Sequence, residues 1–91
     1  MRRIVVDTNV LVSAILSPER AARVVLRLSL ESRVRPLIGN ALFAEYEDVL
    51  GRDALFARAP IGAADRAALL DAFLGVCEWV AIAFLLSLIH I

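Results

Sequence analysis

Apolar and polar positions fall in blocks along the chain. Ile4, Val5 and Val6 form a short run that stops on an acid, Asp7, and apolar residues resume at Val10 after Thr8 and Asn9. Because β-branched side chains pack well on a pleated surface, Arg3 to Val6 is predicted as a buried strand with Asp7 as its last residue. Thr8 or Asn9 offers an acceptor to free backbone N–H groups, which predicts a cap and a short helix over Val10–Leu16. Ser17-Pro18-Glu19 repeats the start signal, with a capping serine, a proline at the first helical position and an acid in the first turn. A second helix is therefore predicted to about Leu30, with Ala21, Val24, Val25 and Leu28 on one face. Arg20, Arg23 and Arg27 lie three and four apart on another face, forming a basic stripe.

Val34 to Ile38 reads as a second strand, and its Pro36 predicts an edge position or a strand start. Gly39-Asn40 turns the chain, and Asn40 is the expected cap of a helix over Ala41–Leu50 that Gly51 ends. Leu42, Phe43, Tyr46, Val49 and Leu50 make one stripe of that helix. At about 100 degrees per residue Glu45 falls just beside the stripe, whereas Glu47 and Asp48 point away from it. Asp53 to Arg58 predicts a helical turn, Pro60-Ile61-Gly62 breaks it, and Ala63 to about Gly75 predicts a last helix with Ala67, Leu70 and Leu74 inward. Cys77 to Ile82 reads as a third strand. Strands separated by helical segments imply parallel pairing through crossovers, hence an α/β sandwich.

Composition changes this picture in two ways. At 91 residues the chain makes at most one small domain, yet 60% of it is hydrophobic, so much surface must be covered by a partner or left exposed and apolar. The ten basic residues are all arginine and balance ten acids, which removes any strong electrostatic footprint for nucleic acid and any polybasic membrane signal. The single cysteine, Cys77, excludes an internal disulfide and a cysteine-based zinc cage, reads as a core residue, and fits a reducing cytoplasmic setting. No signal peptide is read at the N-terminus, where only three apolar residues precede Asp7. From Phe73 to Ile91, Cys77 aside, the only polar or ionisable side chains are Glu78, Ser87 and His90. The run after Glu78 is well short of the roughly 20 residues of a spanning helix and has no flanking Lys or Arg, so no membrane span is read.

Chemistry enters at Asp7. In a parallel sheet, ligands bind beyond the carboxyl ends of the strands, where Asp7 is expected. A partly desolvated carboxylate there wants a counter-charge or several donors, and Mg²⁺ or Mn²⁺ suits two carboxylates that converge from separate elements. Asp7 and Glu45 are the candidate pair. The ordinary alternative remains open at this point: Asp7 as a cap or turn residue and Glu45 as a solvated border residue. Likewise Tyr46 and Trp79 read as core aromatics ahead of base-stacking platforms, and the arginine stripe as a solvated face ahead of an RNA contact.

Val5-Val6-Asp7-Thr8-Asn9-Val10-Leu11-Val12-Ser13-Ala14 and Ala44-Glu45-Tyr46-Glu47-Asp48-Val49-Leu50 together resemble the PIN-domain nucleases, in particular the VapC-like toxin components of bacterial toxin–antitoxin systems. The resemblance runs from Arg2 to about Ile82 of a single domain spanning 1–91, with 83–91 an atypical tail. It implies a three-layer α/β/α Rossmann-like sandwich with a parallel sheet. It also implies metal-dependent hydrolysis of RNA and a cognate antitoxin protein as partner. Asp7 and Glu45 match two metal-binding catalytic acids, and Thr8 and Asn9 match residues that support them. Arg20, Arg23 and Arg27 are the RNA-contacting candidates, and a homodimer is a further candidate assembly.

Such a site needs no side-chain nucleophile, in keeping with a chain that offers no Ser-His-Asp set and no Walker loop. The sequence departs from the family after Glu78, where no further acid follows. The sheet and site are therefore expected to be incomplete at the C-terminus, through truncation or a change of frame, and nuclease activity impaired. The alternative from another class is a non-catalytic interaction or dimerisation module of the same fold.

Overall fold

The computed structural model describes residues 2–16 and 20–81. Among these residues, three parallel strands form one sheet in the order β1-β2-β3: β1 at Arg2–Ile4, β2 at Val34–Ile38 and β3 at Glu78–Trp79. Helices α1 (Thr8–Leu16) and α2 (Arg20–Leu30) connect the first pair. Helix α3 (Asn40–Leu50), a 3₁₀ turn at Asp53–Phe56 and α4 (Ala63–Val76) connect the second. The fold is α/β with a parallel sheet, as the alternation of elements predicts.

Sheet pleat sorts the core onto two faces. Ile4, Val6 and Ile38 pack with Leu11, Ile15, Tyr46, Leu50, Phe56 and Phe73 from the helical segments. Val5 and Leu37 point the other way, against Leu42 and Val80.

Several boundaries depart from the sequence reading for local reasons. Strand β1 ends at Ile4, so Asp7 lies beyond the paired strand; α1 starts at Thr8, two residues before Val10. Neither Thr8 nor Asn9 caps it, because the Asp7 carbonyl takes that part, accepting from the N–H of Val10 at 2.9 Å and of Leu11 at 3.4 Å. The Ser17-Pro18-Glu19 start signal lies outside the described residues.

The buried face of α2 contains Ala22 and Ser29, while Ala21 is exposed. The Ser29 hydroxyl donates to the Val25 carbonyl at 2.9 Å, so a polar residue occupies a core position without leaving its hydroxyl unpaired. That serine hides the stripe from an apolar count. The helix ends at Leu30, and Ser32 beyond it, with a φ of 58°, holds the left-handed conformation of a Schellman end. Consistently, the Arg33 N–H donates to Leu28 at 2.9 Å and the Ser32 N–H to Ser29 at 3.0 Å.

Pro36 sits in the middle of the central strand, not at an edge or a start. Its place is tolerated because β3 pairs only with Leu37 and Ile38, while Pro36 pairs only with Ile4 of β1. At that level β2 has a neighbour on one side, and the missing N–H interrupts no ladder. Gly39, not Asn40, is the N-cap of α3, and Asn40 is the first helical residue. Helix α4 buries Arg66 and Phe73 while Ala67 is exposed. Strand β3 begins at Glu78 because Cys77 caps α4 in an extended conformation; the predicted end at Ile82 lies outside the described residues.

Candidate active site

The chain leaves β1 with Val6, buried and completely enclosed, then turns outward at Asp7. The Asp7 carboxylate is exposed at the start of α1, where the positive end of the helix dipole favours an anion. Among the described residues its side chain makes no hydrogen bond or ion pair; only its main-chain carbonyl caps the helix. A purely capping role for the carboxylate therefore finds no bond to support it. Glu45 is also exposed, on α3, and Asn9 is exposed in the first turn of α1.

Tyr46 connects the two acidic segments. It is 1% exposed, its ring meets Phe73 edge-on with centroids 5.8 Å apart, and its hydroxyl donates to the carbonyl of Val6. Burial is the main cause that pushes its phenol up, and Cys77, Asp7 and Glu45 raise it further. The charges of Asp7 and Glu45 thus both reach one buried hydroxyl, although 38 positions separate them in the chain. Burial also pushes the Cys77 thiol up to about 12, so it stays protonated and is no reactive thiolate.

Thr8 adds a second feature. It is 3% exposed, and among the described residues its hydroxyl is a buried side-chain polar atom without a hydrogen-bond partner. Buried hydroxyls are normally satisfied by protein or by ordered water, and this one follows an exposed carboxylate in the chain. Two oxygen-donor carboxylates with a hydroxyl next to one of them fit a hard cation that keeps several waters, such as Mg²⁺ or Mn²⁺. Among the described residues, no group of three or more His, Cys, Asp or Glu side chains could hold a metal ion.

The other predicted residues lie elsewhere. Arg23 donates from its Nε to the Ala14 carbonyl at 3.2 Å, near the end of α1 remote from Asp7, and Arg27 is exposed on α2. The side chain of Arg20 lies outside the described residues. Trp79, expected in the core, is 51% exposed at the end of the short β3, with its ring 5.4 Å from that of Phe43. Tyr46 and Thr8 are the residues whose importance the sequence understated. The signal for Tyr46 was its place directly after Glu45 on the apolar stripe; nothing in the sequence announced an unpaired Thr8 hydroxyl.

Comparison with protein families matches a PIN domain over residues 3–90. The match covers nearly the whole chain and extends past Ile82, into the stretch that the resemblance sets apart. The chain belongs to the PIN domain family. PIN domains are generally nucleases that act on nucleic acid with a divalent metal. No curated protein matches the chain. No helix among the described residues is long and apolar enough to cross a membrane.

Proposed function

We propose that this chain is a metal-dependent endoribonuclease in which Asp7 and Glu45 together hold one Mg²⁺ or Mn²⁺. The observation that carries the reading is the Tyr46 hydroxyl bonded to the Val6 carbonyl, which ties the segment next to Glu45 to the segment next to Asp7 within a PIN-family chain. A bound divalent cation polarises a phosphodiester and lowers the pKa of a water so that it can attack. The chain's own residues bind and orient. Asp7 and Glu45 supply two anionic oxygens from two separate elements. The Thr8 hydroxyl, without a partner among the described residues, would donate to a water of the occupied site. Asn9 lines the rim from the first turn of α1, and its amide suits a phosphate oxygen. Arg20, Arg23 and Arg27 would contribute sequence-independent attraction for RNA backbone away from the scissile bond.

These two carboxylates by themselves would hold the cation weakly, with water filling the rest of its shell. A toxin role follows the VapC-like pattern of the Asp7-Thr8-Asn9 segment, with an antitoxin protein as the restraining partner and a second copy of the chain as a further partner. The test is cleavage of single-stranded RNA in Mn²⁺. Slow cleavage that disappears in Asp7→Asn and in Glu45→Gln supports the assignment, whereas cleavage that survives either substitution rejects it.

A non-catalytic binding module is the second reading. It is favoured by the exposed apolar surface at Trp79 and at Leu55, which is 43% exposed. A chain that shows no response to Mn²⁺ yet binds a partner through Trp79 would establish that reading instead.

A further inference from the structure

We infer that Tyr46 is a positioning residue that sets the separation of the two metal-binding carboxylates; the inference rests on the cation site proposed above. Pairing of β1 with β2 ends at the Ile4 to Pro36 register, Val5 adds one isolated bridge, and among the described residues Val6 and Asp7 belong to no strand. The Tyr46 hydroxyl supplies a fixed point there by donating to the Val6 carbonyl. At its other end the ring is locked by burial and by the edge-on contact with Phe73 of α4. Tyr46 is thus a rigid strut between the chain just past β1 and helix α3. One carboxylate is attached next to each end: Asp7 follows Val6, and Glu45 precedes Tyr46.

A single peptide unit, about 3.8 Å between Cα atoms, separates each acid from the strut. A shift of either backbone segment is therefore passed to the carboxylate with little attenuation. Mg²⁺ demands near-ideal octahedral geometry, and a binding constellation must be held to about half an ångström to work well. Two carboxylates that bind one cation depend on their spacing. The hydroxyl itself touches neither cation nor substrate in this scheme. It acts through the Val6 carbonyl.

The experiment compares Mn²⁺ affinity, by calorimetric titration, in wild type, Tyr46→Phe and Phe73→Leu. Tyr46→Phe keeps the ring and loses only the hydrogen bond; Phe73→Leu loosens the same packing and keeps the bond. The expected result is an Mn²⁺ dissociation constant raised about fivefold or more in Tyr46→Phe, the scale of one hydrogen bond, and unchanged within about twofold in Phe73→Leu. Equal affinity in Tyr46→Phe and wild type overturns the inference. So does equal weakening in both variants, which would make the effect one of general stability. A Tyr46→Phe chain that fails to fold also overturns it, because the hydroxyl would then support the whole core and not the site alone. Absence of saturable Mn²⁺ binding in wild type removes the cation site itself, a failure distinct from the others.

Discussion

Replacing Arg66 with Met should destabilise the fold by about 2–3 kcal/mol, and most of that cost should come from a carbonyl and not from an ion pair. Arg66 is 5% exposed on α4, and its Nε donates to the carbonyl of Leu50 at 3.0 Å. Leu50 is the last residue of α3, so this carbonyl has no partner within its own helix. Arg66 satisfies it and places positive charge at the negative end of the helix dipole. Without the guanidinium the carbonyl is left buried and unpaired, which costs about 1–3 kcal/mol.

The Nη2 contact to Asp53 is shorter, at 2.6 Å, but the Asp53 side chain is 81% exposed. Water takes over as its partner when Arg66 is lost, so that pair is worth about 0–1 kcal/mol. The guanidinium also lies 4.5 Å from the centroid of the buried Phe56 ring, a contact worth about 0.5–2 kcal/mol. Met keeps most of the buried stem, so little cavity is added. Urea unfolding followed by circular dichroism at 25 °C would read the change as a lower midpoint at constant slope. Asp53→Asn should cost less than about 1 kcal/mol. A loss below about 1 kcal/mol in Arg66→Met, or equal losses in the two variants, would refute the helix-end argument.

Alkaline pH should destabilise the fold in a defined window. Cys77 and Tyr46 are both held protonated in the fold and ionise more easily once exposed. The unfolded chain therefore binds fewer protons at high pH, and stability falls as pH rises. Stability from the thiol is fully present below its ordinary pKa, about 8.5, and is lost as pH climbs towards the folded value. That folded value is about 12. The slope from this group is at most about 1.4 kcal/mol per pH unit. Urea midpoints at pH 7, 9 and 10 should decline in wild type and decline less in Cys77→Ala; identical profiles would contradict the assignment. Trp79, the single tryptophan, should show solvent-exposed fluorescence that acrylamide quenches readily, and Trp79→Ala should change stability by less than about 1 kcal/mol. A blue-shifted, protected emission would restore it to the core.

The parallel α/β architecture was legible because the strand run at Ile4–Val6, the run around Val34–Ile38 and the helical stripes between them have different periods. The α3 stripe was read correctly through Tyr46 and Leu50, because every side chain on it is apolar or amphipathic. Failures occurred where a polar side chain occupies the core with its hydrogen bonds satisfied. Ser29 on α2 and Arg66 on α4 both do this, and in each case the apolar count rotates the buried face away from where it lies. Pro36 misled for a different reason. Its exclusion from central strands depends on a neighbour at its own level, and β3 is too short to provide one. For the site, the sequence pointed to Asp7 and Glu45 as isolated acids at expected rims. Their link through Tyr46 and Val6 spans 40 residues, and no local pattern encodes such a contact.

The account stands on Asp7 and Glu45 sharing one cation. A double-mutant cycle on the Mn²⁺-induced rise in melting temperature tests this most directly, using wild type, Asp7→Asn, Glu45→Gln and the double variant. The account predicts a rise in wild type, its near-complete loss in either single variant, and no further loss in the double. A rise that persists in both single variants, or effects of the two substitutions that simply add, would mean that the carboxylates act apart.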